Sequence, residues 1–322
     1  MTLRQIGTSD MMVAPLALGG NVFDWTADEA ASFNILDAFV DAGGTMIDTA
    51  DVYSAWVPGH KGGESEALIG RWLRRDPAKR DNVVIATKVG FLDGHMEDGE
   101  YVASLEPAVV RKACDASLER MGIETIDLYY QHRDNEKVPL ADSLGAFDAL
   151  RRAGKIRAIG LSNFTAPRVE EALGVSIEQG FDQPAALQNW YNLVARDKFE
   201  GPLQDVALNR GLSVFSYYSL ANGFLTGKYR SKDDLTKSPR GLRNIEYLES
   251  ERGQKVLAAL EDVSAETGTA MATVALAWLK AQPGITAAIA SATSAAQAEE
   301  LVAALTLDLS PGQLEQLDAA SS

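Results

Sequence analysis

Short apolar runs alternate along this chain with longer amphipathic stretches. The runs fall near Leu16–Leu18, Thr45–Ile47, Val83–Thr87, Ile126–Tyr130, Ala158–Leu161, Ala186–Gln188, Ser213–Ser216 and Ala287–Ala290, and each reads as a buried strand. Between them the spacing predicts helices over 28–41, 64–74, 107–121, 140–152, 167–173, 199–209, 250–267 with 271–281, and 295–305. Strands alternating with helices in this number predict an α/β fold, a single (β/α)8 TIM barrel over residues 1–322. A doubly wound sheet is the alternative. It usually carries fewer strands and a Gly-rich turn after the first, whereas here the first run ends in Gly19-Gly20-Asn21, which does not make G-x-G-x-x-G.

Two segments fall outside the alternation. Residues 1–14 read as an N-terminal β-hairpin about Gly7-Thr8-Ser9-Asp10, placed to close the bottom of the barrel. Residues 221–249 form a long polar loop after strand seven, and connections of that length are usually functional or disordered. It gathers Gly223, Gly227, Lys228, Arg230, Lys232, Lys237, Arg240 and Arg243.

In a parallel barrel all strands end at one face, so side chains from different strand ends converge there. Asp48 and Tyr53 follow the second run, Lys88 the third and His132 the fourth. A carboxylate, a phenol, an ammonium and an imidazole in one pocket suit proton transfer to a carbonyl oxygen at neutral pH. Taken singly each has a plainer reading. Asp48 and Lys88 could be a structural ion pair, Tyr53 rim packing, and His132 a satisfied core histidine.

Composition narrows the classes. With 46% hydrophobic and 23% charged residues, the chain is of the soluble globular kind. Its 45 carboxylates against 30 Lys and Arg give a net charge of -15, which disfavours nucleic acid and anionic lipid as partners. An anionic cofactor would then need a local basic cluster, and the 228–243 stretch is one. Cys114 is the only cysteine and sits in a helical pattern, so it reads as a small buried hydrophobe. His60 and His95 lie in polar loops without partners at metal-ligand spacing, and no metal is expected. The first residues lack a long apolar stretch and no run is long enough to span a bilayer, so a cytoplasmic protein is expected.

Six segments in register then resemble a known family. IDTADVY (Ile47–Tyr53), VVIATKVG carrying Lys88, DLYYQHR ending in His132 and Arg133, GLSNF (Gly160–Phe164), QNWYNL (Gln188–Leu193) and YYSLANGFLTGKY (Tyr217–Tyr229) are similar to the successive motifs of the aldo-keto reductases. The likeness is nearest the bacterial branch that also resembles potassium-channel β-subunits, although His132 stands where those subunits have Asn. The resemblance implies an oxidoreductase moving a hydride between a nicotinamide cofactor and an aldehyde, ketone or alcohol. Tyr53 would be the general acid, Lys88 would lower its pKa, Asp48 would hold Lys88, and His132 would orient the carbonyl.

The cofactor residues implied are Gly20 and Asn21 after the first strand, Ser162, Asn163 and Gln188 at the carboxamide, and Tyr217 stacked on the ring. Tyr218, Ser219, Leu220, Asn222 and Gly223 would follow the pyrophosphate, with Lys228 and Arg240 as clamps. Ser291, Thr293, Gln297 and Glu300 follow the last strand, where many members carry a Lys and an Arg for the 2′-phosphate and where Leu301 replaces the branch's Asn. NADP(H) is favoured on the basic loop, and NAD(H) is possible. Phe23, Trp25, Trp56 and Phe91, with Asn21 and Trp190, would wall a pocket for a small carbonyl substrate. Two other readings remain: a cofactor-sensing binding subunit, and an isomerase or lyase using Lys88 as a Schiff base.

Overall fold

A computed structural model describes residues 2–98 and 100–322. The strands β1 (Arg4–Gln5) and β2 (Met12–Val13) form an antiparallel hairpin. Then come β3 (Leu16–Gly19), α1 (Glu29–Asp41), β4 (Met46–Asp48), α2 (Glu64–Arg75) and β5 (Val84–Val89). A second small hairpin, β6 (His95–Glu97) with β7 (Glu100–Val102), leads to α3 (Pro107–Met121), β8 (Ile126–Gln131) and α4 (Leu140–Arg152). The chain continues through β9 (Ile156–Ser162), α5 (Ala166–Gln179), β10 (Ala186–Trp190), α6 (Pro202–Arg210) and β11 (Ser213–Tyr217). Last are α7 (Ile245–Glu249), α8 (Glu251–Thr267), α9 (Met271–Ala281), β12 (Ile285–Ala290), α10 (Ala295–Val302) and α11 (Pro311–Ser321). Strands β3, β4, β5, β8, β9, β10, β11 and β12 pair in parallel and close on themselves, the expected (β/α)8 barrel.

Two shells of apolar side chains hold it. Outward residues such as Ile47, Ile85, Leu161, Leu187 and Val214 pack under the helices. Inward residues Ala17, Met46, Val84, Ala86, Leu128, Ala158, Ala186, Phe215 and Ala287 fill the lumen, and Ile6, Met11 and Val13 of the first hairpin plug its lower end. Each such plug residue contributes about 1.5–3 kcal/mol by leaving water. Arg4 pins the hairpin by donating to the carbonyls of Ile285 (2.6 Å) and Lys280 (2.8 Å).

Several boundaries differ from the sequence reading. Helix α5 runs to Gln179, ended by left-handed Gly180. Helix α6 begins at Pro202, since a proline suits the first helical turn. The β6–β7 hairpin lies outside the sequence reading, because it has no apolar alternation. The polar loop is not irregular: it folds into 3-10 turns at Ala221–Thr226, Lys232–Lys237 and Gly241–Asn244, followed by α7. Cys114 is fully buried, and burial, then Asp115, pushes its thiol up to about 12. Among the described residues no helix is long and apolar enough to cross a membrane.

Candidate active site

Strand side chains alternate between faces with a period of two, so a residue two beyond an inward apolar one also points inward, one layer higher. Met46 leads to Asp48, Ala86 to Lys88, Tyr130 to His132, Ala186 to Gln188, Phe215 to Tyr217 and Ile289 to Ser291, each first member lying in the lumen cluster. The top layer is therefore polar because the strands run two residues past their apolar cores. Gly160 opposes Tyr130 across β8 and β9, and a Cβ there would lie 2.3 Å from the Tyr130 ring, so only glycine lets that ring cross the lumen.

Lys88 is wholly buried, and its ammonium donates to three acceptors: Asp48 Oδ2 at 2.7 Å, the Thr49 carbonyl at 2.7 Å and the Tyr53 hydroxyl at 3.1 Å. Three N–H bonds meet three oxygens, so the charged form is satisfied. Burial alone would lower the Lys88 pKa, but Asp48 and then Tyr53 outweigh it and hold it above the ordinary value. Tyr53 departs from expectation. Burial pushes its phenol above the ordinary range; Lys88 pulls it down and Asp48 pushes it up, and the net is a rise. Lys88 thus moderates the phenol without making it phenolate. With one Lys88 N–H already on its oxygen, Tyr53 has its own proton to donate.

His132 is half-buried, and burial, then Lys88 and Arg133, holds its pKa well below the ordinary value, so it is neutral at pH 7. Its Nδ1 is buried without a partner among the described residues. An N–H there would be stranded, which assigns the single proton to Nε2. Phe91 meets the imidazole edge-on at 4.4 Å and stacks on Tyr101 of β7 at 4.6 Å, so the unexpected hairpin buttresses this wall.

The residues read as carboxamide ligands are joined to one another. Tyr217 donates to Asn163 Oδ1 at 2.6 Å; Asn163 Nδ2 donates to the His132 carbonyl at 2.9 Å and Ser162 Oγ at 3.1 Å. Ser162 Oγ donates to the Gln188 carbonyl at 3.0 Å, and Gln188 Nε2 to Asp48 Oδ1 at 2.8 Å. Nothing in the sequence marks the Gln188–Asp48 bond, because it joins residues far apart along the chain.

Other expected positions divide. Trp25 and Trp56 meet edge-on at 5.5 Å, and Trp56 lies 6.1 Å from the Tyr53 ring. Phe23, read as a pocket wall, is instead wholly buried in the outer core, where its carbonyl accepts from Ser54 at 2.7 Å. Ser219 is buried and donates to the Ser216 carbonyl at 2.9 Å. Gly20 donates to the Asp48 carbonyl at 2.7 Å, and Asn21 accepts from Ser291 at 2.7 Å. Thr293 donates to Gln297 at 3.0 Å, and the Glu300 carbonyl accepts from Thr273 at 2.8 Å. Trp190 meets Tyr218 edge-on at 5.3 Å, and Leu220 is half-buried against the outer core.

In the basic loop, Arg230 pairs with Glu261, Lys232 with Glu249 and Lys237 with Asp234. Among the described residues no carboxylate pairs with Lys228, Arg240 or Arg243. Lys228 lies over the Tyr229 ring, and Arg240 lies 4.9 Å from the centre of the Trp25 ring, which ties the loop across the barrel mouth.

An extended anionic dinucleotide fits this surface. Buried polar atoms without partners among the described residues occur in the strand ends and loops of this face, among them Trp190 Nε1, Asn222 Oδ1 and Asn244 Oδ1. Tyr217 stands at the end of β11, and Lys228, Arg240 and Arg243 lie in the loop that follows it. A groove of about 1040 Å³ opens at the opposite barrel end, but Arg80, Arg157, Asp10 and Asp127 in it are paired and no C-terminal end of a barrel strand reaches it.

The family model "Aldo/keto reductase family" matches residues 15–322. The uncharacterized oxidoreductase YrpG of Bacillus subtilis is 30% identical over 99% of this chain and 95% of its own. The aldo-keto reductase yakc [NADP(+)] of Schizosaccharomyces pombe is 30% identical over 90% of this chain and 82% of its own. L-glyceraldehyde 3-phosphate reductase of Escherichia coli is 30% identical over 99% and 92%. The chain belongs to the aldo/keto reductase family, oxidoreductases that use nicotinamide cofactors.

Proposed function

We propose that this chain is an NADP(H)-dependent carbonyl reductase, with Tyr53 as its general acid. The observation that carries this reading is the Lys88 ammonium, shared among Asp48, Thr49 and Tyr53 in a buried site. A nicotinamide, when bound, supplies the hydride that no side chain can. Tyr217, Ser162, Asn163 and Gln188 would hold its ring end, and Lys228, Arg240 and Arg243 its phosphates.

The protein's own part is proton transfer. A carbonyl oxygen placed between Tyr53 and His132 accepts the phenol proton and a hydrogen bond from His132 Nε2. As charge develops on that oxygen, the Tyr53 proton moves to it, and the phenolate left behind is stabilised at once by Lys88. Asp48 keeps Lys88 in place and charged. In the alcohol direction the same phenolate accepts the proton. The walls Trp25, Trp56, Phe91 and Trp190 favour aldehydes or ketones with apolar substituents.

The preference for NADP(H) over NAD(H) rests on the three uncompensated cations, and one relative's name carries NADP(+). Direct titration should give tighter binding of NADPH than NADH, and Arg240→Ala should narrow the gap. Equal affinities would refute the preference. Mixing protein and NADPH with a panel of aldehydes and ketones should consume cofactor absorbance, and Tyr53→Phe should cut turnover by about 10² or more with similar cofactor affinity. The panel should include a phosphorylated aldehyde, given the name of the E. coli relative. A Tyr53→Phe protein as fast as the parent would end the assignment.

A further inference from the structure

We infer that Gln188, beyond any contact with the cofactor, is a positioning residue that locks the Asp48 carboxylate onto Lys88. This rests on the proton-transfer reading of Tyr53.

The Asp48 carboxylate is buried, and the torsion that turns its plane is broad and soft. The Lys88 bond holds Oδ2 alone, which leaves the plane free to swing about it. Gln188 Nε2 donates to Oδ1 at 2.8 Å from the far side of the lumen and fixes that plane. Only an amide nitrogen can face a carboxylate oxygen at this distance, so the amide orientation is determined. Gln188 therefore presents Oε1, an acceptor, to anything bound above it, and its nitrogen faces Asp48.

Gln188 is itself rigid. It is 2% exposed, and its backbone carbonyl accepts from Ser162 Oγ at 3.0 Å and the Asn163 amide at 3.2 Å. A hydrogen-bonded series of residues thus runs Tyr217–Asn163–Ser162–Gln188–Asp48–Lys88–Tyr53, passing at Gln188 from its backbone carbonyl, which Ser162 bonds, to its side-chain amide, which bonds Asp48. Lys88 has no donor left over, so any loss of Asp48 from its place alters what holds the Tyr53 oxygen.

Gln188→Glu separates this role from a cofactor contact. Glutamate keeps an acceptor for a carboxamide N–H but loses the donor to Asp48 when ionised. Two facing carboxylates cannot both ionise easily, so acidification puts a proton between them and restores the bond. Gln188→Met removes both functions at similar size. The measurement is kcat against pH, together with the NADPH Kd by tryptophan fluorescence quenching, for the parent and both variants.

The expected result is a Gln188→Glu kcat lowered about tenfold or more near neutrality and recovering toward acid pH, with an NADPH Kd within about threefold of the parent. Gln188→Met should be slow at every pH. A Gln188→Glu kcat equal to the parent's would overturn the inference, as would a loss that is the same at all pH. Parent protein that turns over no carbonyl would instead defeat the reading beneath it, and the inference with it.

Discussion

At the N-terminal end of the barrel, the chain turns left-handed only at glycines: Gly7, Gly43, Gly122, Gly154, Gly180, Gly211 and Gly284. At the C-terminal end glycines such as Gly59, Gly62, Gly63, Gly90, Gly201, Gly223 and Gly227 also take positive φ, but there Asp24, Ser54, Asp98, Asn163, Tyr218, Ala221 and Asn222 join them, and these seven are all the non-glycine residues of positive φ among those described. Side-chain bonding divides the same way. At the lower end Asp127 accepts from the Ile85 amide at 2.8 Å and pairs with Arg80 and Arg157, each at 2.9 Å. The buried polar atoms without partners belong to the upper strand halves and the loops beyond: Asp51, Gln131, His132, Trp190, Asn222 and others. One end is built for stability. The other carries strain and unmet bonding capacity, which persist only where surrounding structure enforces them.

The widest separation should come from paired substitutions. Lys88→Met should lower turnover per folded molecule by about 10³. Asp127→Ala, at the opposite end, leaves two half-exposed arginines facing each other and should cost about 2–4 kcal/mol, with turnover per folded molecule unchanged. Urea melts and active-site-normalised kinetics on both proteins check this. A loss of turnover in Asp127→Ala beyond its unfolded fraction would mean that the two ends are coupled.

Much of this division was readable beforehand. Strand ends carrying Asp48, Lys88 and His132 are legible because a buried strand announces itself locally, and the barrel then brings its ends together. The left-handed backbone of Tyr218 and Ala221 is not, since neither residue type favours it. Nor is the Gln188–Asp48 bond, which depends on strands meeting across the lumen. The rise in the Tyr53 pKa is a balance between burial and charge, and the sequence shows only the charges. Phe23 lies four residues past the end of β3, like a wall residue, yet burial under the Ser54 turn takes it away.

Asp51 tests whether unmet bonding lowers stability. Both its carboxylate oxygens are buried without partners among the described residues, beside a cavity of about 180 Å³ lined also by Asp93, Lys112 and Arg120. Burial, then Glu66, raises its pKa well above the carboxylate range, with Arg120 opposing. Between the unfolded value of about 3.9 and the folded one, the folded chain holds more protons, so stability falls as pH rises through that window. Asp51→Asn removes this titration. It should be more stable than the parent by about 1 kcal/mol or more at neutral pH, with the gap closing below about pH 4. A gap that stays constant across pH would show that the carboxyl does not titrate abnormally.

The smallest effects should have opposite signs at the two ends. Ala221 has φ 47 and is 1% exposed; Gly180 has φ 65 and open space where a Cβ would stand. Neither site involves a long side chain, so the backbone term dominates. A left-handed alanine costs about 1–2 kcal/mol that glycine avoids, offset in part by about 0.4–1 kcal/mol of extra freedom in the unfolded chain. Ala221→Gly should therefore hold or gain up to about 1 kcal/mol, while Gly180→Ala should lose about 1 kcal/mol. If Ala221→Gly also slows turnover while gaining stability, the strain serves to hold Tyr218 and Asn222 in the loop above the site. If it gains stability with turnover unchanged, the left-handed run reflects only the path of the chain, and the contrast between the two ends rests on their polar groups alone.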